Sequence, residues 1–181
     1  MKQLLILLLA VSAFASSATS GYSLQARYGI AGSATWDYVT VDDTTHRLYV
    51  AHGGQVDILD THSGAAIGRV SGSPGVHGIA VANNLNRGFT SNGGDNTATI
   101  FDLKTFATIG KVKVGSRPDR IYYDVPSQRV FTCNHGSGDI TQLLRKPAPS
   151  SASFASVVAV SNSSRHLAIS STLRIPTHRR C

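Results

Sequence analysis

Residues 88–105 read GFTSNGGDNTATIFDLKT. A short apolar run stops at Asn92-Gly93-Gly94-Asp95-Asn96. A second run then alternates and ends in Asp102-Leu103-Lys104-Thr105. Alternation broken by Asn and Gly is the pattern of two strands around a tight turn. The same pattern recurs about 40 residues to either side. Leu48-Tyr49-Val50-Ala51-His52-Gly53 precedes it, and Val130-Phe131-Thr132-Cys133-Asn134-His135-Gly136 follows.

The flanking strands recur as well. Gln55-Val56-Asp57-Ile58-Leu59-Asp60 aligns with Thr97-Ala98-Thr99-Ile100-Phe101-Asp102. Ala66-Ile67-Gly68-Arg69-Val70 aligns with Thr108-Ile109-Gly110-Lys111-Val112. An earlier strand is seen three times, at Asp37–Val41, His77–Val81 and Asp119–Tyr123. Each unit is therefore four short strands in 40 to 42 residues, the signature of a β-propeller blade. The fold expected is all-β: a partial propeller of about two and a half blades.

The triplets Leu-Tyr-Val-Ala-His-Gly, Phe-Thr-Ser-Asn-Gly and Phe-Thr-Cys-Asn-His, each followed by a Val/Thr-x-Ile-x-Asp strand, resemble the Tyr-Val-Thr-Asn (YVTN) repeat β-propellers. These are exported, YncE-like proteins similar to the propeller domain of cytochrome d1. The resemblance covers residues 36–141. It implies a binding or surface protein in the periplasm or outside the cell. It also raises a redox or metal-dependent propeller enzyme, cytochrome d1-like or lactonase-like, as the alternative.

Met1-Lys2-Gln3, the apolar run from Leu4 and Ala13-Phe14-Ala15 form the pattern of a secretory signal peptide over residues 1–20. No membrane anchor is expected. The formal net charge of +7 is uneven. Residues 1–142 hold 11 Lys and Arg against 10 Asp, whereas residues 143–181 hold 6 Lys and Arg and no acid. The blade region is nearly neutral, so a nucleic-acid surface is not expected. Arg47, Arg87 and Arg129 read as local partners of the hairpin acids Asp42, Asp43 and Asp124. Cys133 reads as a small buried hydrophobe.

After Thr141 no blade motif returns, and Gly disappears. Residues 143–181 read either as a native Ser/Arg-rich low-complexity tail or as an out-of-frame continuation of further blades. The abrupt break favours the second reading. On either reading this segment is expected to lie outside the repeat and to be disordered. A non-functional truncated product follows as a further alternative. Two and a half blades would leave strand edges open to self-association.

Ligand-binding residues are expected in the loops where innermost strands begin. Trp36, Asp37, His77 and Asp119 fall there by alignment. His52, Asn92 and Asn134 form a second equivalent set in the turn between the second and third strands, with His135 beside it. Asp and His around a channel mouth suit metal binding or proton transfer, and suit turn capping equally. No Gly-x-Ser-x-Gly elbow or P-loop is present, and no catalytic residue is assigned. No cofactor is expected. Haem, implied by the cytochrome resemblance with His77 as axial ligand, and a metal ion are the alternatives. The partner expected is an unidentified protein or small molecule.

Overall fold

The computed structural model describes residues 21–145 and 154–161, the last of these as backbone. Among the described residues, twelve strands form three four-stranded antiparallel sheets, each with its strands in chain order. Blade 1 holds β1 (Trp36–Asp42), β2 (Arg47–His52), β3 (Gln55–Asp60) and β4 (Ala66–Ser71). Blade 2 holds β5 (Val76–Ala82), β6 (Arg87–Asn92), β7 (Thr97–Asp102) and β8 (Thr108–Lys113). Blade 3 holds β9 (Pro118–Asp124), β10 (Arg129–Asn134), β11 (Asp139–Arg145) and β12 (Phe154–Ser161). The expected signal peptide lies outside the described residues.

The third sheet reaches past the end of the repeat motif. β11 runs through Arg145, and β12 pairs with it from Asp139↔Ser161 to Arg145↔Phe154. Among the described residues the partial propeller therefore has a fourth strand in its third sheet, contributed by part of the segment read as a tail. The sequence Phe-Ala-Ser-Val-Val-Ala-Val-Ser lacks the repeat motif. It is nonetheless a run of β-branched and small residues without Gly or Pro, which suits the open edge of β11. Residues 146–153 and 162–181 lie outside the described residues.

The turns repeat their chemistry. Asp60 accepts hydrogen bonds from the backbone N–H of His62 and Ser63, and Asp102 from those of Lys104 and Thr105. Asp-x-x-Ser/Thr thus caps the β3–β4 and β7–β8 turns, as Asx turns do. Before each hairpin arginine the chain enters the left-handed region, at His46 (φ 54°), Asn86 (φ 51°) and Gln128 (φ 53°). Two of the arginines find partners away from the β1–β2 and β5–β6 turns: Arg47 reaches into blade 2, and Arg87 crosses to β7. Arg47 donates to the Leu103 carbonyl at 2.5 Å, and Arg87 pairs with Asp102 at 3.1 Å.

Two apolar layers lie between the blades. In the first, Tyr49, Ala51, Val56, Ile58 and Val70 of blade 1 meet Val76, Ile79 and Phe101 of blade 2. In the second, Ala80, Phe89, Ala98 and Ile100 meet Ile121, Tyr123, Val130 and Leu143 of blade 3. Alternation along each strand sends one set of side chains to each neighbour. Cys133, in β10, is disulfide-bonded, which corrects its reading as a small buried hydrophobe.

Candidate functional site

The start of each innermost strand and the turn between the second and third strands lie at the same end of the blade. Register shows this directly: Trp36 pairs with His52, Val76 with Asn92, and Pro118 with Asn134. The eight candidate residues do share a face. They do not share a role.

Asn92 and Asn134 are buried, not open loop ligands. Asn92 Nδ2 donates to Thr97 Oγ1 at 2.9 Å and Thr99 Oγ1 at 2.8 Å, while its Oδ1 accepts from Thr90 Oγ1 at 2.8 Å. Asn134 repeats the pattern, donating to Asp139 Oδ1 at 2.7 Å and Thr141 Oγ1 at 2.9 Å and accepting from Thr132. Each amide closes its hairpin from inside. The adjoining glycines serve close packing: Gly93 and Gly94 donate backbone bonds to Gly75 and Pro74, and a Cβ on Gly94 would meet the Pro74 carbonyl at 2.9 Å.

His52 is the blade 1 counterpart of these asparagines, and is also buried. Its Nδ1–H donates to Asp57 Oδ2 at 2.8 Å. Asp57 further accepts from Arg69 Nε at 2.9 Å and from Gln55 Nε2 at 3.1 Å. Burial pushes the Asp57 carboxyl up. The bonds from His52, Arg69 and Gln55 outweigh this and hold it below the ordinary carboxylate value. His52 Nε2 is buried with no hydrogen-bond partner among the described residues. Trp36 stacks on this ring, with centroids 3.7 Å apart and planes at 16°. Gly32 lies on the imidazole as well, since a Cβ there would meet Cε1 at 2.5 Å.

Asp37 and His77 meet across the blade 1–blade 2 boundary. His77 Nδ1–H donates to Asp37 Oδ2 at 2.5 Å, with side chains 39% and 36% exposed. Asp119 is half-buried, and its carbonyl accepts from Ser91 Oγ, which in turn accepts from Gly78 N–H at 2.9 Å. His135 is exposed, its backbone N–H bonded to Arg117 O. The structure thus unites Trp36 with His52 and Asp37 with His77. Sequence reasoning missed Gln55, Asp57 and Arg69. Aligning the repeats position by position carries the signal, because Val50, His52, Gln55 and Asp57 stand where blade 2 has Thr90, Asn92, Thr97 and Thr99.

Among the described residues no group of three or more His, Cys, Asp or Glu is placed to hold a metal ion. His77, the suggested haem ligand, has Nδ1 engaged by Asp37 and lies against Gly93, where a Cβ would meet Nε2 at 2.7 Å.

Comparison with solved structures confirms the fold. Hydrazine synthase of Kuenenia stuttgartiensis matches with a TM-score of 0.58 at 15% identity, over 67% of this chain and 36% of that one. The dihydro-heme d1 dehydrogenase NirN, in complex with DHE, matches at 0.54 and 12% identity, over 66% and 28%. The Cps50 (Swd1) β-propeller domain of Myceliophteria thermophila matches at 0.53 and 10% identity, over 62% and 36%. The chain is a β-propeller. It spans about a third of the length of these proteins, which include two enzymes and a β-propeller domain. No family model matches the sequence, and no curated protein does.

Proposed function

We propose that this protein is an exported binding module of the YVTN-repeat type, acting in the periplasm or outside the cell without catalysing a reaction. The observation that carries the reading is the boundary between blades 1 and 2. There Trp36, Asp37 and His77 stay open to solvent while the hairpin residues Asn92 and Asn134 of blades 2 and 3 are closed internally. Trp36 rests on a histidine that is itself fixed by Asp57, so its ring is a rigid stacking surface. A carboxylate–imidazole pair next to an aromatic face supplies both hydrogen-bonding and stacking capacity for a small polar ring compound or a partner's loop. No cofactor forms part of this reading. Supporting the export is the basic, apolar, small-x-small pattern of residues 1–20.

The test has two parts. Cell fractionation with N-terminal sequencing of the product must find a processed chain outside the cytoplasm. Chemical crosslinking of that product, compared with a Trp36→Ala/Asp37→Ala variant, must lose at least one specific adduct in the variant. Identical adducts from both proteins would refute this site as the binding surface.

A further inference from the structure

His52 differs from its counterparts in being able to change charge. Blades 2 and 3 carry Asn92 and Asn134 at this position, and their amides are satisfied inside the hairpins. An imidazole gains a proton between about pH 8 and 5, whereas an amide does not. Both ring nitrogens of His52 are confined. Nδ1–H is held by Asp57 Oδ2 at 2.8 Å, and Nε2 is buried with no partner among the described residues. The neutral ring suits this place because its proton sits on Nδ1. A second proton would put a charged N–H at Nε2, where it meets no acceptor, and burying such a group is costly.

The charged groups nearby are engaged elsewhere. Asp57 of β3 faces Nδ1 and already accepts from Arg69 of β4 and from Gln55. It stays ionised throughout, since these bonds hold its carboxyl below the ordinary value. Asp37 of β1 is taken by His77 of β5. Trp36 covers a face of the ring. An indole face attracts a cation but offers no acceptor in the plane of the imidazole. Gly32 covers the other approach, where a Cβ would meet Cε1 at 2.5 Å and Nε2 at 3.0 Å. This cover is lightly tied. Trp36 opens β1 ahead of a register irregularity between Trp36 and Val39. Residues 21–35 form no strand, and are tied to blade 1 by Gly53 N–H to Thr35 O at 2.9 Å and by Tyr28 O–H to Thr61 O at 3.3 Å.

We infer that His52 is a proton-operated latch on the Trp36 surface: the neutral ring keeps the indole stacked, and the imidazolium displaces Trp36 and Gly32 so that water reaches Nε2. The closed state holds one proton on His52 and the open state two, so acid favours the open state. The consequence for binding rests on the reading of Trp36 as a rigid stacking surface. That surface is assembled near neutral pH and dismantled in mild acid, where a bound ligand is released.

Trp36 is the single tryptophan, so its fluorescence reports the latch without a ligand. Acrylamide quenching of the full chain is measured at about pH 8 and about pH 5. The quenching constant should rise about twofold in acid, because Trp36 starts 47% exposed, and should do so reversibly with the far-UV circular dichroism unchanged. His52→Asn, which installs the side chain of blades 2 and 3, should remove the response; His52→Gln stands in for it should the asparagine variant lose its far-UV signal. His77→Asn should keep the response. Unchanged quenching in the wild type, an equal response without His52, a response lost with His77→Asn, or loss of circular dichroism over the same interval would each overturn the latch. Specific crosslinked adducts with no fluorescence response would sink the latch alone. A fluorescence response with no adduct lost in the Trp36→Ala/Asp37→Ala variant would sink the binding surface alone.

Discussion

Replacing Asn92 by Ala tests the reading of the hairpin asparagines as internal ties. Its amide makes three hydrogen bonds, to Thr90, Thr97 and Thr99, and none of the four side chains is more than 6% exposed. A net hydrogen bond contributes about 1 kcal/mol, and a buried group left unpaired costs about 1–3 kcal/mol. Thr97 keeps a partner in Asp95 at 2.5 Å, so its loss is small. Thr90 and Thr99 retain only long contacts of 3.4 Å to Ser73. The deficit therefore falls on two hydroxyls, and the expected destabilisation is about 2–4 kcal/mol. That is a large part of the 5–15 kcal/mol typical of a folded protein. Urea unfolding followed by circular dichroism and by the fluorescence of Trp36, the single tryptophan, measures it. A Thr99→Val variant and the double variant complete a cycle, with an expected coupling of about 1 kcal/mol. A loss below about 0.5 kcal/mol for Asn92→Ala would show that the asparagine is not a tie, and would return it to the list of open ligands.

Other perturbations have equally defined outcomes. Changing Val50, His52, Gln55 and Asp57 together to Thr, Asn, Thr and Thr gives blade 1 the blade 2 network; stability should stay within about 1 kcal/mol while Trp36 fluorescence changes through loss of the stacked imidazole. Trp36→Ala should make His52 reactive toward diethylpyrocarbonate, detectable by peptide mass spectrometry; continued protection would mean that Gly32 and its neighbours suffice as a cover. Asp37→Asn breaks a half-exposed pair and should cost less than about 1 kcal/mol, so a larger loss in thermal unfolding would give the pair a structural role. Acid should destabilise the fold. The carboxyls of Asp42, Asp57, Asp60, Asp95 and Asp102 are all held below 3.8 in the folded state. The folded state therefore binds fewer protons than the unfolded chain. Their contribution is complete above about pH 5 and disappears as pH falls through the folded values. A urea midpoint unchanged between pH 6 and 3 would refute those carboxylate contacts.

Much of the fold is legible because a repeat states it three times. Strand alternation, the Asn-Gly breaks and the Asp-x-x-Ser/Thr turns depend on neighbours a few residues apart, and local spacing sets such contacts. For the same reason the alignment placed Asp37 with His77, and His52 with Asn92 and Asn134, at equivalent positions of the blade. β12 escaped notice because it carries no repeat motif. Pairing with the edge of β11, a contact across an intervening segment, makes it a strand.

Roles within the site were not legible. Alignment makes His52, Asn92 and Asn134 equivalent, and all three are buried, yet two close their hairpins completely while the third leaves a nitrogen unpaired beneath Trp36. That difference rests on Asp57 and Arg69 from neighbouring strands and on Gly32 from the leading segment. The blade, its period, its turns and the side chains that share a face are all written in the residue order, since they follow from local geometry. Which polar groups face water is settled by the packing of the blades. Burial and partner choice depend on which blade lies opposite, and that partner is 40 residues away in the chain.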